Sequence, residues 1–107
     1  MARVALLCPD LLFGSKLEGA LRVGGHEPVR VGEDAELLVV DLTVDPDERI
    51  ESSAEAGLPR LGFYSHVEHD VRLRAEAAGF ERVVPRSRMA REPVALVEGL
   101  LGARDGD

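Results

Sequence analysis

The feature that most limits the fold of this chain is the apolar run from Leu37 to Leu42, which is interrupted only by Asp41. A short strand that is apolar on both of its faces is typical of a parallel β-sheet with helices on both sides. In such sheets, ligands and chemistry gather at the carboxyl ends of the strands. Asp41 lies at that end of the run, so it is the first candidate functional residue.

Strand-like and helix-like segments alternate along the rest of the chain. Apolar residues at helical spacing predict helices, and short runs rich in β-branched or aromatic residues predict strands. The predicted helices cover about residues 11–23, 46–57, 66–78 and 92–101, and the predicted strands cover residues 4–8, 28–31, 37–42, 60–64 and 82–84. This alternating order predicts an α/β fold with a central parallel sheet.

Two of the predicted helices begin with capping signals. Asp45 is a candidate N-cap, Pro46 fits the first helical position, and Glu48 completes a pattern that resembles a capping box. Ser65 followed by Glu68 has the same form. We therefore expect the side chains of Asp45 and Ser65 to bind the first free amide groups of their helices.

The connection between the second and third strands is unusually short. The segment GEDAE, residues 32–36, is all that separates Val31 from Leu37, whereas a crossover between parallel strands usually takes a dozen residues or more and forms a helix. Five extended residues span about 17 Å, roughly the length of one strand. We therefore expect the crossover helix to be missing, and either the chain to return in an extended form or the short second strand to be irregular.

Length and charge limit the possible partners. The chain has 107 residues and a formal net charge of −7, so it offers no basic face for nucleic acid or for anionic membranes. It has no apolar run of the ~20 residues that a membrane span needs and no signal-peptide pattern, which predicts a cytoplasmic protein. Its single cysteine, Cys8, has no partner for an internal disulfide. The length predicts one domain over residues 1–102 and a frayed tail over residues 103–107.

Three segments together resemble the receiver domain of bacterial response regulators, over nearly the whole chain. In that family the third strand ends on an aspartate that accepts a phosphoryl group, and Asp41 in VVDLT matches it. The fourth strand ends on a Ser or Thr that senses the phosphate, and Ser65 in GFYSHV matches it. The segment AGFERVVPRS, residues 78–87, resembles the family's lysine-bearing segment and places Arg86 at the position of the phosphate-binding lysine. The resemblance implies a flavodoxin-like, receiver-like three-layer sandwich with a parallel sheet of four to five strands.

The chain departs from this family at the position of the metal-binding residues. Receivers carry two adjacent acidic residues at the end of the first strand, but here Cys8 and Pro9 stand there and Asp10 follows one place later. A single displaced carboxylate is a poor ligand for Mg²⁺, which demands near-octahedral oxygen coordination. Asp10 is therefore a weak metal candidate and Mg²⁺ a doubtful cofactor. Without the ion, the charge of a phosphoryl group arriving at Asp41 is uncompensated.

These observations lead to three hypotheses. The first is a pseudo-receiver that is not an enzyme and acts in signalling by binding a protein partner, with homodimerisation as a further expectation. The second is a true phospho-receiver in which Asp10 bends back to hold Mg²⁺ and Asp41 accepts the phosphoryl group. The third is a small phosphocysteine enzyme that uses Cys8 before a helix, although Gly14 stands where the phosphatase pattern needs arginine.

Each candidate residue also has a purely structural interpretation. In that interpretation Asp41 either forms an ion pair with Arg86 or caps a nearby backbone amide. Ser65 serves as a helix N-cap, and Cys8 is a buried structural thiol.

Two histidines, His66 and His69, lie three residues apart beside Asp70. On a helix that spacing places both rings on one face, which suits a zinc site. Two histidines without a cysteine or a third well-placed ligand are more often surface residues, and we prefer that interpretation.

Overall fold

The computed structural model describes the backbone of residues 1–105 and the side chains of residues 1–102. Over that range strands and helices alternate, as the sequence predicts. The strands are β1 (Arg3–Leu7), β2 (Glu27–Val29), β3 (Leu37–Asp41), β4 (Arg60–Tyr64) and β5 (Arg82–Pro85), and the α-helices are α1 (Leu11–Val23), α2 (Pro46–Ser53), α3 (His69–Ala77), α4 (Arg86–Arg91) and α5 (Pro93–Asp105). A 3₁₀ turn, Ala54–Ala56, follows α2. The predicted tail, residues 103–107, lies outside the residues whose side chains are described.

The five strands form one parallel sheet in the order β2-β1-β3-β4-β5. Leu38 of β3, for example, pairs with Ala5 of β1 on one side and with Arg60 of β4 on the other. This order is that of the flavodoxin-like doubly wound fold, in which a crevice forms at the carboxyl ends of the strands, between β1 and β3. The predicted fold class is therefore confirmed, with five strands in the sheet.

Alternate residues of the central strand β3 enter two separate cores. Leu37 and Val39 pack with residues of α1, α4 and α5 on one face of the sheet, whereas Leu38 and Val40 pack with residues of α2 and α3 on the other. Every residue of β3 is buried, as expected for a strand whose two faces are both covered. The apolar run therefore joins the two layers of helices.

Helix α3 begins later than predicted. Its N-cap is Glu68 and its first residue is His69, and a separate turn precedes it, in which the Glu68 amide donates to the Ser65 carbonyl at 2.8 Å. The prediction that Ser65 caps this helix is wrong, because Ser65 lies before that turn. Pro46 is the first residue of α2, as predicted, but the Asp45 side chain makes no capping hydrogen bond and the Asp45 φ of 49° is left-handed.

The end of the chain contains one helix more than predicted. The sequence predicts a single helix over residues 92–101, whereas α4 precedes it, buries Met89 and ends before Glu92 and Pro93. A helix of six residues is too short to show a clear apolar period, which is why the pattern does not reveal it. In the part of the chain that the structure describes, no helix is both long enough and apolar enough to cross a membrane.

No helix connects β2 to β3, as predicted. The chain bends after β2, where the Glu33 amide donates to the Arg30 carbonyl at 3.1 Å and the Arg30 amide donates to the Glu33 carboxylate at 2.8 Å. Before β3 begins, the Glu36 amide donates to the Arg3 carbonyl of β1 at 2.8 Å. So short a crossing covers less of β1 than a helix would, and Leu7 of β1 stays half-buried.

Arg60, the first residue of β4, is a buried cation held by uncharged groups. Its guanidinium donates to the Ile50 carbonyl and the Ser53 hydroxyl of α2 at 2.9 and 3.0 Å, and to the Ala78 carbonyl after α3 at 2.7 Å. It also lies 4.2 Å from the centre of the Phe80 ring. Carbonyls at helix C-termini carry partial negative charge and suit a cation, while burial lowers the pKa of Arg60. Arg60 therefore ties the C-terminal ends of α2 and α3 to the sheet.

Replacing Arg60 with methionine should lower the free energy of unfolding by about 2–4 kcal/mol, because several acceptors lose a charged donor. Urea unfolding followed by circular dichroism measures the change. The matched control is Arg30→Met, at an exposed position after β2, which should change the free energy of unfolding by less than about 0.5 kcal/mol. Equal stabilities of the two variants would contradict the structural role of Arg60.

Candidate functional site

The ends of β1, β3, β4 and β5 meet at one edge of the sheet, around a cavity of about 540 Å³. Three of the predicted site residues, Asp10, Ser65 and Arg86, line this cavity. Asp41 is buried and is linked to the cavity through Thr43, which lines it. The other lining residues are His66, Glu68, Ser87 and Ala90.

Asp41 is held by its own loop and not by a cation. Its Oδ1 accepts hydrogen bonds from the amide and the hydroxyl of Thr43 at 2.8 and 2.6 Å, and its Oδ2 lies 3.8 Å from the Cys8 sulfur. An aspartate that bonds the amide two residues further along forms a local turn, and this turn satisfies the carboxylate. Of the two structural interpretations of Asp41, the pairing with Arg86 is therefore wrong and the capping of a nearby backbone amide is confirmed. Thr43 is the site residue that the sequence analysis missed, and its place two residues after a strand-end aspartate is the signal for it.

Asp10 has two structural partners. Its Oδ1 accepts hydrogen bonds from the amides of Leu12 and Phe13, both at 3.1 Å, and so caps the start of α1. Its Oδ2 lies 3.5 Å from Nη2 of Arg86. The ion pair that the sequence analysis assigned to Asp41 is thus made by Asp10. An aspartate just before a helix is a common N-cap, and this is the simpler signal that Asp10 carries.

Arg86, the first residue of α4, packs against the start of α1. Its guanidinium carbon lies 4.1 Å from the centre of the Phe13 ring on α1, and its ion pair with Asp10 is about half exposed. Stacking on an aromatic ring stabilises a guanidinium more than an exposed ion pair alone does. Any anion that enters the cavity therefore meets a cation that is already paired with a carboxylate.

The donor atoms at this edge do not fit Mg²⁺. The ion prefers an octahedral set of oxygens, but Cys8 offers sulfur, and the Asp10 carboxylate is engaged by α1 and by the Arg86 cation. Within residues 1–102, no three side chains of His, Cys, Asp or Glu gather as a metal site. That range includes His66 and His69, which are both exposed.

Cys8 is a partly buried thiol beside Asp41. Burial, and then the charge of Asp41, raise the pKa of Cys8 to about 11. The Cys8 sulfur also lies 3.7 Å from the Asp10 carbonyl. A phosphocysteine mechanism requires a thiolate near neutral pH, and the raised pKa of Cys8 opposes its formation. The geometry therefore favours the structural interpretation of Cys8.

We expect native Cys8 to react slowly with iodoacetamide near neutral pH, and its rate to rise towards about pH 11. The thiol should also make stability depend on pH. In the unfolded chain it ionises near pH 9.0 and in the folded chain only near 11, so its contribution to the free energy of unfolding should fall as the pH rises between these values. Urea unfolding across this range measures the effect.

Two variants control this prediction. Cys8→Ala should lose the Cys8 part of the pH dependence, and Asp41→Asn should speed alkylation because it removes the neighbouring charge that raises the pKa of the thiol. Rapid alkylation of the native protein near neutral pH would instead favour a reactive thiol.

No protein-family model matches this sequence, and no curated protein matches it. Solved structures do match. A CheY-like response regulator receiver domain protein from Methanospirillum hungatei JF-1 has a TM-score of 0.80 at 14% identity, over 99% of this chain and 98% of that one. The orphan response regulator HP1043 of H. pylori has a TM-score of 0.69 at 17% identity, over 91% and 93% of the two chains.

A third similar structure belongs to a family of streptococcal redox sensors that evolved from two-component response regulators. Its TM-score is 0.76 at 12% identity, over 98% of this chain and 53% of that one. At these identities the similarity concerns the fold alone. The chain has the CheY-like fold of response regulator receiver domains over nearly its whole length, which confirms the fold implied by the segments around Asp41, Ser65 and Arg86.

Proposed function

We propose that this CheY-like domain is a pseudo-receiver, a cytoplasmic signalling module that is not an enzyme and acts by binding a protein partner. In this proposal Asp41 is not phosphorylated through the Mg²⁺-dependent route. One observation carries it. Receivers hold Mg²⁺ with two adjacent acidic residues at the end of the first strand, and in this chain Asp10 is the carboxylate that follows β1. Its Oδ1 is bound by two amides of α1, and its Oδ2 pairs with Arg86.

The charge balance of the cavity supports the loss of phosphorylation. Phosphoryl transfer depends on cations that neutralise the charge developing on the phosphoryl oxygens. Here the positive charge of Arg86 is already shared with Asp10, and Glu68 adds a further carboxylate to the lining. The two hydrogen bonds from Thr43 also favour the free carboxylate of Asp41 over a modified one.

Exposed apolar side chains near the strand ends support a protein partner. Leu11, Leu12, Val44 and Val67 follow the ends of β1, β3 and β4 and are 83%, 87%, 57% and 72% exposed. Exposed apolar patches commonly mark an interface, and these four side chains all follow strands that end at the same edge of the sheet. The solved structures with this fold also include an orphan response regulator and redox sensors that evolved from response regulators, so atypical regulators are among the proteins that share it.

An NMR titration of the ¹⁵N-labelled protein with Mg²⁺ and beryllofluoride, a phosphate mimic, tests the proposal. We expect no Mg²⁺-dependent shifts at the amides of Asp41, Thr43 and Ser65, because no set of oxygens is free to hold the ion. Saturable shifts at Asp41 that depend on Mg²⁺ and disappear in Asp41→Asn would establish the second hypothesis, a working phospho-receiver.

A gain-of-function variant is the matched control for this titration. The double substitution Cys8→Asp with Pro9→Asp restores two adjacent acids at the end of the first strand and should restore shifts that depend on Mg²⁺. The carboxylate at position 8 replaces a sulfur that lies 3.8 Å from Asp41, so this variant should be less stable in EDTA than in Mg²⁺. A folded double variant without any response to Mg²⁺ would show that the missing acids are not the reason for the loss.

A further inference from the structure

A second cavity, of about 620 Å³, lies on the face of the sheet that packs against α2 and α3. Leu7 of β1 and Leu38 of β3 line it together with residues from two segments, one between residues 31 and 35 and the other between residues 52 and 58. The first segment is the crossing from β2 to β3, and the second contains the end of α2 and the 3₁₀ turn. We call this cavity the β1 groove.

The β1 groove exists because the crossover helix is missing. In a three-layer α/β fold, helices cover both faces of the sheet, but the short crossing leaves part of β1 uncovered on this face. Leu7, Ala35 and Leu58 pack against the core on this side and are only partly buried, and Val31 is 48% exposed. The groove therefore presents apolar side chains for which the fold supplies no cover.

The backbone of β1 determines what kind of element can enter the groove. β1 pairs with β3 over Val4–Leu7 and with β2 over Arg3–Ala5, and the groove opens on a face of the sheet, where side chains and not backbone groups project. An occupant must bind through side chains, as an amphipathic helix does in an apolar groove. The volume of the groove, about 620 Å³, also lies within the ~300–1,000 Å³ that is usual for ligand pockets. This is enough space for the apolar side chains on one face of a short helix.

The rim of the groove is acidic. Glu33, Asp34 and Glu55 line it and are exposed, whereas no Lys or Arg belongs to its lining. Within residues 1–102, neither Asp34 nor Glu55 takes part in an ion pair. Opposite charges at an interface determine orientation and speed association, so the rim favours a basic partner.

We infer that the β1 groove binds an amphipathic helix of a partner protein. The helix presents aliphatic side chains to Leu7 and Leu58, and Lys or Arg to Glu33, Asp34 and Glu55. It covers the part of β1 that the missing crossover helix leaves open. This inference rests on the proposed function, because it names the surface and the kind of partner through which the pseudo-receiver acts.

A second copy of this chain suits the groove poorly. Each copy carries a formal net charge of −7, so two copies repel each other at low salt. The exposed apolar Leu73 on α3 lies between Arg72 and Arg74, but both arginines already pair with carboxylates of their own chain. A basic helix from a different protein meets the acidic rim without breaking such pairs.

Photo-crosslinking of the whole chain in its native cells tests the inference. The photoreactive residue p-benzoylphenylalanine is placed at Val31 or Ala56 in the groove, at Val67 near the strand ends, or at Val23 at the end of α1. Mass spectrometry then identifies the crosslinked segments. We expect Val31 and Ala56 to crosslink to one segment of one protein, with apolar residues at helical spacing and Lys or Arg beside them. Val23, on the other face of the sheet, should not crosslink to it.

Charge reversal tests the acidic rim separately. Glu55→Lys should lower the crosslinking yield from Val31 about fivefold, because an attractive charge contact at the rim becomes a repulsive one. The matched control is Glu18→Lys on α1, which changes the net charge equally and should leave the yield unchanged. Equal yields in the two variants would overturn the assignment of a basic partner.

The crosslinking pattern distinguishes failure of this inference from failure of the proposed function. Crosslinks from Val31 and Ala56 to a second copy of this chain would overturn the inference in favour of a dimer. Crosslinks from Val67 alone would place the partner at the strand ends, so the binding function would stand without the groove. Crosslinks from none of these positions would count against both.

Discussion

The fold depends on β3, whose apolar side chains must be covered by helices on both faces of the sheet. All of its residues are buried, so the strand is stable only between two layers of helices. Helices α1, α4 and α5 provide one layer, and α2 and α3 provide the other. The β1 groove opens where the second layer ends beside β3, and the candidate site lies where β3 itself ends. The positions of the candidate site and of the β1 groove therefore both follow from the position of this strand.

The polar groups at the strand ends satisfy one another. Asp41 is bound by Thr43, Asp10 caps α1 and pairs with Arg86, and Arg86 stacks on Phe13. A buried carboxylate without partners is costly and would favour a cation beside it. Because Asp10 and Asp41 both have partners from the protein, these two carboxylates do not need a bound ion beside them. This explains how a receiver fold is compatible with a sequence that lacks the paired acids.

The sequence predicts the arrangement of the elements better than the contacts between side chains. The apolar run of β3 and the five-residue GEDAE segment suffice to predict a parallel sheet without its crossover helix. Parallel strands end at a common edge, so Asp10, Ser65 and Arg86 were expected to lie together, and they do. That Arg86 pairs with Asp10 and not with Asp41 depends on the turn made by Thr43 and on the position of α1. These are tertiary details, for which the sequence contains no periodic signal.

Because of Arg60, the C-terminal ends of α2 and α3 are held differently from their N-terminal ends. Their C-terminal ends are fixed by the buried guanidinium, whereas neither helix has a side-chain cap at its N-terminal end, at the carboxyl edge of the sheet. Uncapped first turns open more easily than anchored last turns. Arg60 thus fixes one end of both helices. Ser53 bonds Arg60 and also lines the β1 groove, so one wall of that groove is built on the end of α2 that the buried guanidinium holds in place.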